Sequence, residues 1–264
     1  MIKKNSSLIF SRKIEANVVE QELKIPPDYQ YKAITEGNFI QANWHKNKLF
    51  VIKKLLDFDK EMTILDLGTG SGNFEIFFSQ YVKEIIGVDY NDEALDFLNN
   101  YLYTHKIKNV NLVLSDIRDL KLLKKINKFD LILLIDVIEH FKFHDVQKIF
   151  KSLGSYLKND GKVIIVTPNY KSLWPALEYA FDFLGLAPKF RKHQHLSKLY
   201  KKNLEQLIND NDFQIERVCS FNLFSYLIPF RKISEKLCFL EISLPTLFGN
   251  LIAVVFSKSA KKVD

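Results

Sequence analysis

Short apolar runs alternate with amphipathic segments along most of the chain from residue 62 onward. The runs are rich in β-branched residues or leucine and predict buried strands, whereas the segments between them repeat apolar positions with a helical period. The predicted strands cover residues 63–67, 84–89, 110–115, 129–135, 162–167, 213–220 and 251–257. This alternation predicts the α/β class, with a doubly wound, mostly parallel sheet that has helices on both faces.

The first 60 residues lack such runs, and we expect no strand there. Pro26 and Pro27 separate a polar arm from a helical stretch at about residues 44–56. The sequence therefore predicts an N-terminal arm and helical lid in residues 1–60, followed by one domain in residues 61–264.

Two segments within that domain are too apolar and too long for ordinary loops, and we expect helical or apolar insertions at about residues 170–195 and 221–248. The second insertion combines apolar residues with the cations Arg231, Lys232 and Lys236. It is either a cap over a substrate pocket or a segment that lies at a membrane surface and contacts anionic headgroups.

Composition and charge narrow the class of protein. With 264 residues, 47% of them hydrophobic, the chain can bury a large core and is not a disordered chain. Cys219 and Cys238 are the only cysteines, which excludes a disulfide scaffold and a cysteine-rich zinc site and suits a reducing compartment.

The net charge of +7 favours anionic partners, but the cations are spread along the chain. The sequence shows no leader and no apolar run of about 18 residues, so we expect a cytoplasmic protein, with peripheral contact at the inner face of the membrane left open.

The segment over residues 64–74 contains the pattern D-x-G-x-G-x-G, with Asp66 two residues before the first of three glycines. A predicted strand enters a glycine-rich turn that opens a helix, so backbone N–H groups are exposed to a ligand. The dinucleotide loop G-x-G-x-x-G would need glycine at Asn73 instead. The pattern resembles motif I of the class I S-adenosylmethionine-dependent methyltransferases.

Further segments resemble this family in the same order along the chain. The strand over residues 84–89 ends at Asp89, where the family places an acid that binds both ribose hydroxyls. Asp116 and Ile117 follow the next strand, where the family places an acid and an apolar residue beside adenine. The resemblance implies a Rossmann-like methyltransferase fold with a seven-stranded sheet, whose last strand, residues 251–257, is antiparallel.

The resemblance also implies the cofactor, S-adenosyl-L-methionine, and its binding residues. We expect these to be Asp66, Gly68, Thr69, Gly70, Gly72, Asp89, Tyr90, Asp116, Ile117 and Asp136. Asp66 is expected to orient the loop and the methionine ammonium. An N-terminal helix commonly closes over the cofactor in this superfamily, and Trp44 either covers it or packs in the core.

Asp136, Glu139 and His140 follow the fourth strand of the family pattern. They resemble the E-x-x-E-H segment of the ubiquinone-biosynthesis O-methyltransferases, the nearest group in motif, and of the terminal 2′-O-methyltransferases of small RNAs. In those groups the acids and the histidine can hold a divalent metal, and His195 would be a fourth ligand here. Asp136 is one methylene shorter than the family's glutamate, and we favour a metal-free site in which His140 and Glu139 are catalytic.

The predicted function is O-methylation of a small apolar or lipid-like acceptor, because a poised histidine matters most for a hydroxyl that must lose its proton. RNA 2′-O-methylation is the first alternative, but the sequence shows no separate RNA-binding module and its aromatic residues lie in apolar surroundings. A non-catalytic S-adenosylmethionine-binding protein is the second.

Overall fold

The computed structural model describes residues 8–11, 26–125, 128–184, 195–244 and 248–259. Part of the predicted arm and parts of both predicted insertions lie outside these residues.

The N-terminal part contains a strand, contrary to expectation. Strand β1 (Leu8–Ser11) precedes helices α1 (Tyr29–Thr35) and α2 (Phe39–Leu55). A strand of four residues is too short to show a readable alternation, and β1 is instead defined by its parallel pairing with the edge of the sheet near Leu112. The expected helix in this region is α2, which begins a little before the predicted residue.

The remaining strands lie where the sequence predicted them. They are β2 (Thr63–Leu67), β3 (Glu84–Asp89), β4 (Val110–Leu114), β5 (Phe129–Ile135), β6 (Leu157–Pro168), β7 (Phe213–Phe221) and β8 (Leu251–Lys258). The helices between and after them are α3 (Asn73–Phe78), α4 (Asp92–Thr104), α5 (Phe143–Tyr156), α6 (Trp174–Leu184), α7 (Lys201–Asn209) and α8 (Arg231–Glu241).

The described strands form one sheet in the order β1-β4-β3-β2-β5-β6-β8-β7. All neighbours are parallel except that β8 is antiparallel to both β6 and β7. The predicted seven-stranded sheet with an antiparallel last strand is therefore confirmed, and β1 adds an eighth strand at its edge. The chain reverses its direction of winding between β2 and β5, which opens a crevice at the carboxyl ends of these two strands.

Helices cover both faces of the sheet, as the alternation predicted. On one face, Leu65 and Leu67 pack in a buried cluster that includes Phe150 of α5 and Leu204 of α7. Ile64, on the opposite face of β2, belongs to a second cluster formed with α2, α3 and α4. Because side chains alternate along a strand, Asp66 shares the face of Ile64 and points toward the helices of the second cluster.

The second insertion packs on α2 through buried polar groups. The Asn47 amide donates hydrogen bonds to Asn222 Oδ1 at 2.8 Å and to Ser225 Oγ at 3.1 Å. The Glu241 carboxylate accepts hydrogen bonds from the backbone N–H groups of Phe224 and Ser225, both at 2.8 Å. These bonds fix the insertion to the body of the domain. Across the described ranges, every helix falls short of the combined length and apolar character needed to cross a bilayer.

Candidate active site

Two side chains lie unusually close to the backbone of the loop after β2. Gly68 and Gly70 have φ angles of 91° and 53°, in the left-handed region that favours glycine. A Cβ atom on Gly68 would lie 2.3 Å from a methyl group of Val137, and one on Gly70 would lie 2.8 Å from Gln30 Oε1. The end of β5 and helix α1 therefore close around a loop that only glycine can form.

Two adjoining cavities lie at this loop. The larger cavity, counted together with its solvent-filled mouth, has a volume of about 1010 Å³. The smaller one, counted in the same way, has a volume of about 420 Å³. The predicted residues on the larger cavity are Gly68, Gly70, Asp89, Tyr90, Asp116, Ile117, Asp136 and His140. Asp66 and Thr69 line the smaller one, and Gln30, Gly68 and Asp136 line both. The structure thus brings most of the predicted site together.

Gly72 and Glu139 are placed differently from the prediction, because neither lines these cavities. Gly72 permits packing instead of ligand approach, since a Cβ atom there would lie 2.2 Å from Leu98 Cδ1. Glu139 is 1% exposed, and its carboxylate accepts a hydrogen bond from the Thr167 hydroxyl at 2.9 Å. Glu139, which we expected to be catalytic, therefore contacts β6 in the interior of the domain.

The carboxylate of Asp89 is held by the loop itself. It accepts hydrogen bonds from the backbone N–H groups of Gly70 at 2.7 Å and of Asn91 at 2.9 Å. Burial raises the pKa of Asp89, and these N–H groups oppose the rise by stabilising the charged form. The Tyr90 N–H also stabilises this charge. A carboxylate offers about four acceptor sites, so capacity remains for a ribose hydroxyl.

Arg118 fixes the acid at the far end of the larger cavity. Its guanidinium donates to both carboxylate oxygens of Asp116 at distances of 2.5 to 2.9 Å. The same guanidinium lies 5.4 Å from the centre of the Phe141 ring. Sequence reasoning missed Arg118, although its spacing two residues after Asp116 is the available signal.

Two carboxyl groups are buried together beneath the loop. Asp66 is 3% exposed and Glu75 is not exposed at all. Burial raises the pKa of both, and their mutual repulsion raises the pKa of Glu75 further. The environment of Glu75 therefore favours its protonated, neutral form.

The Asp66 carboxylate supplies a direct test of whether the predicted cofactor fits. Asp66 Oδ1 and both carboxyl oxygens of the neighbouring Glu75 have no hydrogen-bond partner among the described residues. A buried carboxylate oxygen beside a cavity needs a donor, and a ligand ammonium group is one. The residues present therefore fit the methionine end of S-adenosylmethionine in the smaller cavity and its adenosine in the larger one.

Asp136 is paired with a lysine that sequence reasoning missed. The ammonium of Lys48, whose side chain is 5% exposed, forms an ion pair with the Asp136 carboxylate. Asp136 also has a φ angle of 54°, a conformation that costs a non-glycine residue about 1–3 kcal/mol and is typical of functional sites. Trp44, Lys48 and Val51 follow a helical spacing, so the periodicity of α2 is the signal that places Lys48 inward.

His45 lies beside this ion pair and lines the smaller cavity. Burial and the nearby Lys48 cation lower its pKa to about 3, so the imidazole is neutral.

Three of the four candidate metal ligands come together. Ligand atoms of Glu139, His140 and His195 lie within 4.8 Å of one another, whereas the fourth candidate, Asp136, forms an ion pair with Lys48. Burial, with repulsion from Asp136 added, raises the pKa of Glu139. The Tyr170 hydroxyl and Nδ1 of His195 lie 2.5 Å apart.

Aromatic rings connect this cluster to the second insertion. The ring of His195 lies 5.2 Å from that of His140 and 6.3 Å from that of Trp174. Trp44 follows, 5.1 Å from both Trp174 and Tyr226. Trp44 is half-buried and packs against these two rings. We call this series of rings the aromatic path.

Known proteins with a similar sequence place the chain in one family. The chain matches the family described as "Methyltransferase domain" over residues 40–218. It is 25% identical to an uncharacterised methyltransferase, YcgJ of Bacillus subtilis, over 163 residues that cover 62% of this chain and 61% of the relative, less than two thirds of the relative's length. It is also 25% identical to the ubiquinone biosynthesis O-methyltransferase of Pelagibacter ubique over 223 residues, which cover 76% of this chain and 90% of that one.

A solved structure shows the same fold. It is described as an S-adenosylmethionine-dependent methyltransferase from Clostridium acetobutylicum, with a TM-score of 0.58, 16% identity, and coverage of 87% of this chain and 96% of that one. Matching relatives also include enzymes named as N-methyltransferases and as ribosomal protein L11 methyltransferases. The relatives thus differ in the acceptor they methylate.

Replacing Asp89 by alanine tests the ribose contact. Loss of a buried, charged hydrogen-bond partner costs about 1.5–3 kcal/mol, so Asp89→Ala is expected to weaken binding of S-adenosylmethionine and S-adenosylhomocysteine about ten- to a hundredfold. Isothermal titration calorimetry measures both affinities. Asp96→Ala, at an exposed position on α4, is the matched control and should leave them unchanged. Equal affinities in the wild type and Asp89→Ala would contradict the assignment.

The buried acid pair predicts an unusual dependence of stability on pH. A carboxyl group whose pKa is raised by folding binds its proton more tightly in the folded chain. Its stabilising contribution is complete below the ordinary carboxyl pKa of about 4 and is lost as the pH rises toward the raised value. Glu75→Gln is therefore expected to raise the melting temperature, relative to wild type, more at about pH 8 than at about pH 5. Exposed Glu36→Gln is the control, and a difference independent of pH would contradict the raised pKa of Glu75.

Proposed function

The chain belongs to the methyltransferase-domain family, and we propose that this S-adenosylmethionine-dependent methyltransferase methylates a hydroxyl group of a small apolar or lipid-like acceptor. The aromatic path is the observation that carries the proposal. It begins at His140, which lines the cofactor cavity, and continues through the rings of His195, Trp174 and Trp44. An apolar wall beside an imidazole suits an acceptor with an apolar body and a hydroxyl group.

The protein contributes alignment and a proton acceptor. S-adenosylmethionine supplies an electrophilic methyl group on its sulfonium sulfur. Asp66 binds the ammonium, Asp89 binds the ribose, and the loop glycines let the backbone approach the ligand. His140 accepts the proton of the attacking hydroxyl, which must lie in line with the methyl carbon and the sulfur.

Glu139 and His195 act on His140 without contacting the acceptor. Glu139 is buried beside His140 and bonded to Thr167, and His195 is held by Tyr170. Because Glu139 and His195 are fixed in this way and lie within 4.8 Å of His140, they limit where its imidazole can move, which is the role of positioning residues.

The N-terminal helices serve as the lid of this site. Pro26, Pro27 and Gln30 line the larger cavity, and Lys48 of α2 lines the smaller one. This arrangement supports the division into a lid in residues 1–60 and a methyltransferase domain in residues 61–264.

RNA 2′-O-methylation is the second candidate function. The position of His195 beside Glu139 and His140 favours it, since the small-RNA enzymes have a distal histidine in a comparable place. A divalent ion bound there would lower the pKa of the attacking hydroxyl and replace His140 as the means of removing its proton. The apolar surroundings of the aromatic path favour the small-molecule acceptor instead.

His140→Ala separates the two ways of removing the proton. If His140 is a general base, His140→Ala is expected to lower turnover about a hundred- to ten-thousandfold, and a metal chelator should not affect the wild type. If the cluster holds a metal, the chelator should abolish turnover and added divalent ion should restore it, while cofactor binding persists. The exposed His144→Ala is the matched control. Full turnover of His140→Ala with and without chelator would contradict both mechanisms.

The acceptor class is tested by following the methyl group. Cell extract is incubated with the enzyme and S-adenosylmethionine carrying an isotope in the methyl group, and mass spectrometry locates the label in lipid, RNA and polar fractions. We expect label in the lipid or apolar fraction, bound through oxygen. Label confined to RNA would establish the second candidate, and binding of cofactor without any labelled product would support a non-catalytic protein.

A further inference from the structure

Exposed large apolar side chains concentrate on one surface of the protein. Among the described residues, the densest group lies in the second insertion, on α8 and the turn before it. We define the α8 surface by Phe224, Leu227, Phe230, Ile233, Phe239 and Leu240. Phe230 is 68% exposed and Leu240 is 59% exposed, so these side chains remain in contact with water. Apolar groups that cluster in this way mark an interaction site.

The opposite side of the same segment is buried and mixes polar with apolar groups. Ser234 is not exposed, and its hydroxyl donates to the Ser225 carbonyl at 2.8 Å. Glu241 is 4% exposed and accepts a hydrogen bond from the Ser225 hydroxyl at 2.7 Å. Cys238, on the same side, belongs to the hydrophobic core. These contacts attach α8 to the domain and leave Ile233, Phe239 and Leu240 exposed on the outward side, where an external partner could cover them.

The charges at this surface are positive. Lys232 and Lys236 are exposed on the outward side of α8, and the ammonium of Lys54 lies 5.6 Å from the centre of the Phe239 ring. The nearby acids are compensated: Glu235 pairs with Arg231 at 3.0 Å, and Glu241 is buried. Apolar and aromatic side chains beside lysines suit a bilayer with anionic headgroups.

We propose that the α8 surface docks the protein onto an anionic lipid bilayer. The inference rests on the proposed function, because it names where a lipid-like acceptor is taken up. Docking of a second copy of the chain through this surface would place Lys232 and Lys236 of both copies close together, and their repulsion disfavours it. Tyr226, within the same insertion, contacts Trp44 at 5.1 Å, so the docked surface adjoins the aromatic path to His140.

Vesicle co-sedimentation of the full chain tests this proposal. Wild type is expected to bind vesicles of phosphatidylcholine with phosphatidylglycerol at least about tenfold more tightly than vesicles of phosphatidylcholine alone. Salt should weaken the binding without abolishing it, because the apolar contribution is not screened.

Paired substitutions separate the apolar and the electrostatic contributions. Phe230→Ser with Phe239→Ser should weaken binding to both kinds of vesicle at least about tenfold. Lys232→Glu with Lys236→Glu should remove the preference for anionic vesicles.

The controls are substitutions of the same kinds elsewhere on the protein. They are Tyr103→Ser, which is 64% exposed, and Lys201→Glu with Lys202→Glu on α7. Each control should bind vesicles as wild type does. Every variant should retain affinity for S-adenosylmethionine, which shows that the fold is intact.

Three results would overturn the proposal. They are absence of wild-type binding to anionic vesicles at low salt, unchanged binding by both paired variants, and a dimer in light scattering that only the phenylalanine variant dissociates. The last result would assign the surface to a second copy. If the wild type binds vesicles but no label enters lipid, the proposed acceptor fails while the docking surface stands.

Discussion

Burial of negative charge beneath the glycine loop is the constraint on which the site depends. Asp66, Glu75 and Asp89 lie together in the layer between the sheet and α3, where desolvation disfavours their charged forms. The N–H groups of Gly70 and Asn91 stabilise the charge on Asp89, whereas burial favours the neutral form of Glu75. Burial raises the pKa of Asp66 to about 7, so a cationic group placed beside it would stabilise its charged form. This arrangement is consistent with the proposed ligand, which carries an ammonium at one end and hydroxyl groups nearby.

Helix α2 connects the two halves of the site. Lys48 pairs with Asp136 at the cofactor cavity, while Trp44, one turn earlier, packs in the aromatic path. Asn43 and Asn47 bond to the second insertion, at Ile228 and Asn222. Because one helix carries all these contacts, it sets the position of the aromatic path relative to the cofactor cavity. Removing Asp136 would leave the Lys48 cation buried without its partner, so the ion pair also determines how α2 sits on the sheet.

Much of the fold could be predicted because buried parallel strands give continuous apolar runs. The location of the site at the carboxyl ends of the strands could be predicted because the glycine pattern and the acidic residues follow those runs directly. The contacts of Lys48 with Asp136 and of Gln30 with Gly70 could not be predicted, since the two partners lie far apart along the chain. Gly72 shows a different limit: a glycine in a motif serves either ligand approach or packing, and the sequence does not distinguish them. Glu139 is adjacent to His140, but neighbours in a tight turn point in different directions.

The second insertion combines a buried hydrogen-bond network with exposed apolar residues, and a simple cap over a pocket needs neither. Buried polar groups stabilise a fold little, but they specify one arrangement when every group is satisfied. Here the network around Ser225 and Glu241 holds α8 in one orientation, with its apolar residues outward. A cap over a soluble acceptor would gain more by turning those residues inward, against the aromatic path. Docking onto an anionic bilayer, as proposed above, would cover the outward apolar residues and offset the cost of exposing them to water.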